Sequence, residues 1–224
     1  MQVIDKDEIP HDLFHEAEKF SIFREDVKKY LKNNGKDFDK FSITKHDSYL
    51  GYFTEHVLKE HILTNLNFKN CEIETWEEQF DLHKIKDIIY NNKNDVDNLK
   101  YVQSYFYDKY DFKIMNERQE IKIDVKTAET KLTPNEHWNF LYPVIQAKKE
   151  GKDLIILCYY IKNSSDLKDL KNITIVGYMS EIDILNCDII FANQYTNHHT
   201  KSQIDNYNTQ LINYKNIKNI ENLL

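Results

Sequence analysis

The sequence predicts an α/β fold in which strands and amphipathic helices share one hydrophobic core. Three patterns support this: residues 120–127 alternate between apolar and polar, residues 153–161 form an apolar run of strand length, and residues 49–63 carry helical periodicity. The chain has 224 residues, only four Gly and three Pro, and no linker rich in Pro, Gly and Ser. It is long enough to bury a sizeable core as one domain with an appended helical piece.

Two helices are predicted in the first third of the chain. Residues 11–31 have helical spacing and end near Asn33-Asn34-Gly35, a plausible C-cap. Their apolar side chains are expected in the core or at a dimer contact: Leu13, Phe14, Phe20, Phe23, Val27, Tyr30 and Leu31. Residues 49–63 form the second helix, and its apolar stripe consists of Phe53, Val57, Leu58, Ile62 and Leu63. Residues 82–90 predict a further helix, followed by a polar loop at 91–95.

A β-hairpin is predicted around Asp111 and Asp124. Residues 120–126 place Ile121, Ile123 and Val125 on one face and Glu120, Lys122, Asp124 and Lys126 on the other. A four-residue turn at 116–119 would set Asp111 opposite Asp124, with Cβ atoms about 4.5–5.5 Å apart. Like charges facing each other destabilise a hairpin unless a cation lies between them, so a metal ion, a nearby lysine or both are implied.

Other interpretations of the hairpin stay open. A face that carries Glu120, Lys122, Asp124 and Lys126 is also typical of a solvated strand with cross-strand ion pairs. Asp108 competes with Asp111 as the first acid, although its parity puts it on the opposite face of an unbroken strand. We favour Asp111.

Asp111, the hairpin and Asp124-x-Lys126 together resemble the signature of the PD-(D/E)xK nucleases, which include many type II restriction endonucleases. Tyr110 stands where that family usually has proline, and the second acid is Asp rather than Glu. The resemblance covers roughly residues 47–192. It includes an upstream helix carrying Glu55, a crossover helix in the stretch that contains residues 146–149, a buried strand at 153–161, a strand at 173–178, a short helical turn at 179–185 and a strand at 187–191.

The resemblance implies a restriction-endonuclease-like core at residues 47–192, with a mixed β-sheet flanked by helices. Residues 1–46 would form an N-terminal helical extension, and residues 193–224 would pack on the core. The catalytic residues would be Asp111, Asp124, Lys126 and Glu55. Mg²⁺, or Mn²⁺ in its place, would be held by Asp111, Asp124, Glu55 and the backbone carbonyl of Val125. Lys126 would orient or deprotonate the attacking water.

The implied function is Mg²⁺-dependent cleavage of double-stranded DNA, most simply as a type II restriction endonuclease. A nuclease of repair or recombination that selects DNA structure, such as a Holliday-junction resolvase, is an alternative. A nuclease-like protein that binds DNA without cutting is another. A palindromic site would be matched by a homodimer, for which the helix at 11–31 is a candidate interface. Gln146 and Lys149 resemble auxiliary contacts in some relatives, but we favour an ordinary surface role for both.

Composition and charge restrict these interpretations of the function. The formal net charge of −7 argues against strong non-specific attraction to nucleic acid. The chain has only two arginines, Arg24 and Arg118, that could form the bidentate hydrogen bonds by which arginine recognises guanine. No apolar run approaches the about 20 residues that span a bilayer, and the N-terminus lacks signal-peptide features, so a cytoplasmic location is expected. Cys71, Cys158 and Cys187 lack metal-ligand spacing and are interpreted as reduced. The loop at 197–203 is interpreted as surface rather than as a zinc site at His198 and His199.

Overall fold

The computed structural model describes residues 1–36, 44–65, 71–147, 151–191 and 208–223. These residues form two compact units, one made of residues 1–6 and 121–224 and the other of residues 7–120. The limits 1–46, 47–192 and 193–224 stay a prediction.

The helices are α1 (His11–Asn33), α2 (Lys45–Asn65), α3 (Leu82–Tyr90), α4 (Val96–Phe106), α5 (Val144–Ala147) and α6 (Glu181–Leu185). The strands are β1 (Gln2–Asp5), β2 (Glu72–Thr75), β3 (Phe112–Met115), β4 (Glu120–Thr130), β5 (Asn139–Pro143), β6 (Leu154–Lys162), β7 (Leu170–Ser180), β8 (Asp188–Ile190) and β9 (Thr209–Asn213). The described helices include none that is long and apolar enough to cross a membrane.

A mixed sheet dominates the unit of residues 1–6 and 121–224. Its strands lie in the order β1-β7-β6-β4, with β6 parallel to β4 and antiparallel to β7. Strand β6 is buried along nearly all its length, which confirms the buried strand predicted at 153–161. The further strand, short helical turn and strand predicted at 173–191 are also confirmed as β7, α6 and β8.

A second sheet, with strands in the order β5-β9-β8, faces the first. Side chains from both sheets share one core cluster: Phe140, Tyr142, Ile155, Leu157, Tyr159, Ile161, Val176, Met179, Ile184 and Ile212. This layer was not expected from the sequence. The connection between the parallel strands β4 and β6 was expected to be a crossover helix, but it contains strand β5 and a described helix of only four residues, α5.

A β-bulge in β7 depends on a glycine. The register with β6 shifts after the pair Leu157 and Gly177, and Gly177 has φ +148. A Cβ atom at Gly177 would lie 2.2 Å from the carbonyl oxygen of Lys218, because Tyr178 and Lys218 form a backbone bridge beside it. Only glycine fits this close approach without a shift of the backbone.

Helices α1–α4 and the antiparallel pair β2–β3 form the unit of residues 7–120. The predicted ends of the first helix are confirmed, since α1 stops at Asn33 and Gly35 adopts φ +78. The helices predicted at 49–63 and 82–90 are confirmed as α2 and α3. Helix α4 was not predicted; its N-cap is Asp95, whose carboxylate accepts from the Asn98 backbone N–H. Members of α1, α3 and α4 form one buried cluster: Val27, Tyr30, Leu31, Ile85, Ile88, Ile89, Val102, Tyr105 and Phe106.

A buried arginine ties α1 to the end of α4. The guanidinium of Arg24 donates to the Tyr105 carbonyl at 3.3 Å and lies 3.9 Å from the Asp108 carboxylate. It also lies over the ring of Phe106, 4.7 Å from the centroid. The cation thus satisfies a helix C-terminus, where cations are favourable, and one acidic side chain.

The predicted interpretation of the cysteines as reduced is consistent with the structure. Cys71, Cys158 and Cys187 are all free, and Cys158 is buried in β6.

Candidate active site

Strand β4 brings Asp124 and Lys126 onto one face because side chains two residues apart in a strand point the same way. In the parallel ladder Asp124 pairs with Ile155 and Lys126 with Leu157, both members of the core cluster between the sheets. The face that carries the two ionisable groups is therefore covered by the second sheet. The interpretation of this face as simply solvated is wrong at Asp124, which is only 1% exposed.

Asp124 and Lys126 form a close ion pair. The ammonium nitrogen of Lys126 lies 3.1 Å from each carboxylate oxygen of Asp124. The Lys126 side chain keeps 24% of its surface exposed. The pair therefore joins a carboxylate sealed in the core to a cation that reaches solvent. A carboxylate buried in this way needs such a charge, since an isolated buried ion is very unfavourable.

Tyr142 of β5 adds a third polar group. Its hydroxyl lies 3.5 Å from Asp124 Oδ2, a long hydrogen bond in which the tyrosine donates. Tyr142 is fully buried and belongs to the core cluster. The sequence analysis missed this residue. The alternation of Phe140 and Tyr142 could have predicted a strand, but only the pairing of β5 with β9 fixes which face the tyrosine occupies.

Val125 separates the two functional side chains and points to the opposite face of β4, where it is buried. Its backbone carbonyl as a metal ligand stays a prediction.

Asp111 and Glu55 lie in the other unit. Asp111 immediately precedes β3, is buried, and its backbone carbonyl accepts from the Trp76 N–H at 2.9 Å. The predicted turn after β3 is confirmed, because the Asn116 N–H donates to the Gln119 carbonyl at 3.0 Å. The pairing of Asp111 with Asp124 stays a prediction.

Glu55 is half-buried on α2, one turn after Gly51. A Cβ at position 51 would lie 3.3 Å from Glu55 Oε1, so the glycine leaves room for this carboxylate. Its role as a metal ligand is likewise untested.

The competing first acid, Asp108, has a structural partner. It lies 3.9 Å from the buried guanidinium of Arg24. This contact gives Asp108 a structural role, and the choice of Asp111 as the first acid stays a prediction.

Of the remaining candidate residues, only Gln146 lies among the described residues. Gln146 is exposed on α5, and its backbone carbonyl accepts from the ammonium of Lys152 at 2.8 Å. Lys149 and the 197–203 segment with His198 and His199 lie outside the described residues.

Within the described ranges, no group of three or more His, Cys, Asp or Glu side chains is arranged to hold a metal ion. Mg²⁺ is usually bound by one or two carboxylates together with water and substrate phosphate oxygens, so a site of that kind does not require such a group.

The chain matches no protein-family model, no curated protein and no solved structure. Local geometry alone must therefore support any function.

Proposed function

We propose that this protein is a Mg²⁺-dependent endonuclease acting on double-stranded DNA, with Asp124 and Lys126 at its catalytic centre and restriction as its role. The observation that carries the proposal is the contact between them. A carboxylate that is 1% exposed is bridged at 3.1 Å by a lysine that still reaches solvent.

The residue types suit phosphodiester hydrolysis. The scissile phosphate gains negative charge as water attacks, so the reaction requires cations beside its oxygens. Lys126 supplies one such charge and can hydrogen-bond the attacking water. A bound Mg²⁺ would supply further positive charge to the phosphate. Asp124 would be a ligand of that ion, and the predicted contributions of Asp111, Glu55 and the Val125 carbonyl belong to the same proposal.

Burial of Asp124 is compatible with this role. Its negative charge is held by Lys126 and by the long contact to Tyr142. Such a fixed carboxylate cannot swing away from the face of β4, and a preorganised charge loses less free energy to rearrangement during reaction.

The test is cleavage of supercoiled plasmid in Mg²⁺ by the wild type and by the double variant Asp124→Asn with Lys126→Met. Changing both residues avoids an unpaired buried charge, which would itself cost about 3–5 kcal/mol of stability. The double variant should keep its circular dichroism spectrum and lose cutting altogether.

A matched control removes another ion pair of the same sheet, in which one partner is buried. Lys162 of β6 is buried and lies 2.5 Å from Glu129 of β4. The double variant Glu129→Gln with Lys162→Met should retain cutting. Full activity in the Asp124 and Lys126 double variant would refute the site assignment.

The same assay separates the alternatives. Discrete fragments from plasmid support restriction, whereas preferential cutting of four-way junctions would support a resolvase. Metal-dependent DNA binding without cutting by the wild type would support the non-cleaving protein and contradict the proposal.

A further inference from the structure

Gln210 is a buried polar residue of the second sheet. It lies on β9, directly opposite Tyr142 in the antiparallel register with β5. Paired residues on neighbouring strands point to the same face of a sheet. Gln210 therefore shares the face of Tyr142, whose hydroxyl reaches Asp124.

The rest of that face packs against the first sheet. Phe140 and Ile212, which also pair across β5 and β9, join Ile155 and Leu157 in the core cluster. Ile155 and Leu157 are the ladder partners of Asp124 and Lys126. Gln210 thus faces the layer that holds the ion pair.

Gln210 is only 1% exposed, and its Oε1 has no hydrogen-bond partner among the residues that the structure describes. Burying an amide oxygen without a donor costs about 1–3 kcal/mol. Such groups in folded proteins usually have a bound water, an ion or a functional partner. An apolar side chain would fill the same place without this cost, so a ligand for the oxygen would explain the glutamine.

We propose that Gln210 Oε1 is a neutral oxygen ligand in the shell of a divalent cation bound at Asp124. This inference rests on the proposed function, because it assumes that Asp124 binds the cation.

The donor chemistry fits. Hard divalent cations accept carboxamide oxygens alongside carboxylates, and they need few charged ligands when neutral oxygens complete the shell. Tyr142 has a separate role as a positioning residue, since its hydroxyl is directed at Asp124 Oδ2 rather than at solvent. Asp124, Tyr142 and Gln210 come from three different strands, so the sequence alone gives no sign of the set.

Mn²⁺ binding to the full chain without DNA tests the inference directly. Free Mn²⁺ can be counted by electron paramagnetic resonance, which requires no catalytic activity. We expect Gln210→Leu to weaken Mn²⁺ binding by about tenfold or more, as loss of a supporting oxygen does at other metal sites. The same variant should melt about 2–4 °C higher without metal, because it removes the unsatisfied oxygen.

Gln210→Glu gives a signature that a purely structural role would not produce. Its added charge should lower the melting temperature without metal and increase the rise in melting temperature on adding Mn²⁺ above that of the wild type.

Thr127 provides the matched control. Its Oγ1 is also buried without a partner among the described residues, but the residue lies on the opposite face of β4. Thr127→Val should leave the Mn²⁺ affinity unchanged.

Unchanged Mn²⁺ affinity in Gln210→Leu, with loss of binding in Asp124→Asn, would overturn the role of Gln210 and leave the proposed site standing. Absence of Mn²⁺ binding by the wild type, or full binding by Asp124→Asn, would overturn both.

Discussion

Glu77 should reduce the stability of the protein at neutral pH, and Glu77→Gln should restore that stability. Burial raises the pKa of Glu77 to about 7 from its usual 4.5, although the nearby Arg24 opposes the shift. Arg24 already lies beside Asp108, so the charge of Glu77 is surplus in this part of the unit. Its Oε2 is buried with no hydrogen-bond partner in the described part of the chain.

Proton linkage gives the direction and the magnitude of the effect of Glu77 on the free energy of unfolding. The folded state binds the Glu77 proton more tightly than the unfolded state does. The contribution of this proton to the free energy of unfolding is therefore fully present below pH 4.5 and is lost as pH rises through about 7. Each unit of pKa corresponds to about 1.4 kcal/mol, so the full loss is about 3 kcal/mol. Glu77→Gln mimics the protonated carboxyl and should gain up to that amount at pH 8, with little difference at pH 4.

Urea unfolding followed by tryptophan fluorescence would measure this gain. The chain has two tryptophans, Trp76 in the unit of residues 7–120 and Trp138 in the other. A Trp138→Phe background leaves Trp76, whose indole donates to the Tyr105 carbonyl, as a reporter for the unit that contains Glu77.

Glu78 is the matched control. Partial burial raises its pKa, but hydrogen bonds from Lys59 and Thr75 outweigh this and lower it overall. Glu78→Gln should therefore slightly destabilise the protein at pH 7, with an effect that disappears at low pH. A Glu77→Gln variant that is less stable than the wild type at pH 8, or a gain that does not shrink towards pH 4, would refute the reasoning.

Three further outcomes are expected. Gly177→Ala should cost more than about 2 kcal/mol in urea unfolding, because its Cβ would meet the Lys218 carbonyl at 2.2 Å. Gly35→Ala, at φ +78 with no atom within 4 Å, should cost about 1 kcal/mol, and equal costs would contradict the steric argument. Asp111→Asn should slow plasmid cleavage about 100-fold or more, whereas Asp108→Asn should slow it less than tenfold; the reverse order would exchange the two acids. EDTA should stop cleavage and excess Mg²⁺ or Mn²⁺ should restore it, so that cutting in EDTA would exclude the metal-dependent reaction.

Local patterns predicted those elements whose signals lie within a few neighbouring residues. The turn at 116–119, the end of α1 at Asn33 and the buried strand at 154–162 all follow from side chains close together in the chain. The shared face of Asp124 and Lys126 follows from strand periodicity, whereas their contact depends on how the two side chains are oriented.

Elements that depend on distant partners could not be predicted in this way. Strand β1 pairs with β7 across more than half the chain, and nothing in residues 2–5 indicates that partner. Strand β5 has only five residues and ends at Pro143, so its pattern is short and ambiguous. Because the second sheet was missed, the burial of Asp124 and the approach of Tyr142 were missed with it. Helix α4 is different, since Asp95 and the spacing of Val102, Tyr105 and Phe106 offered a local signal.

The single residue between Asp124 and Lys126 restricts how the sequence can diverge among orthologues. Val125 is buried on the far side of β4, so exchange for another aliphatic side chain of similar volume should be tolerated there. Adding or deleting one residue at this point would instead place the Lys126 side chain on the opposite face of the strand. Asp124 would then lose the positive charge of this lysine. Orthologues should therefore vary in the identity of this spacer and never in its length.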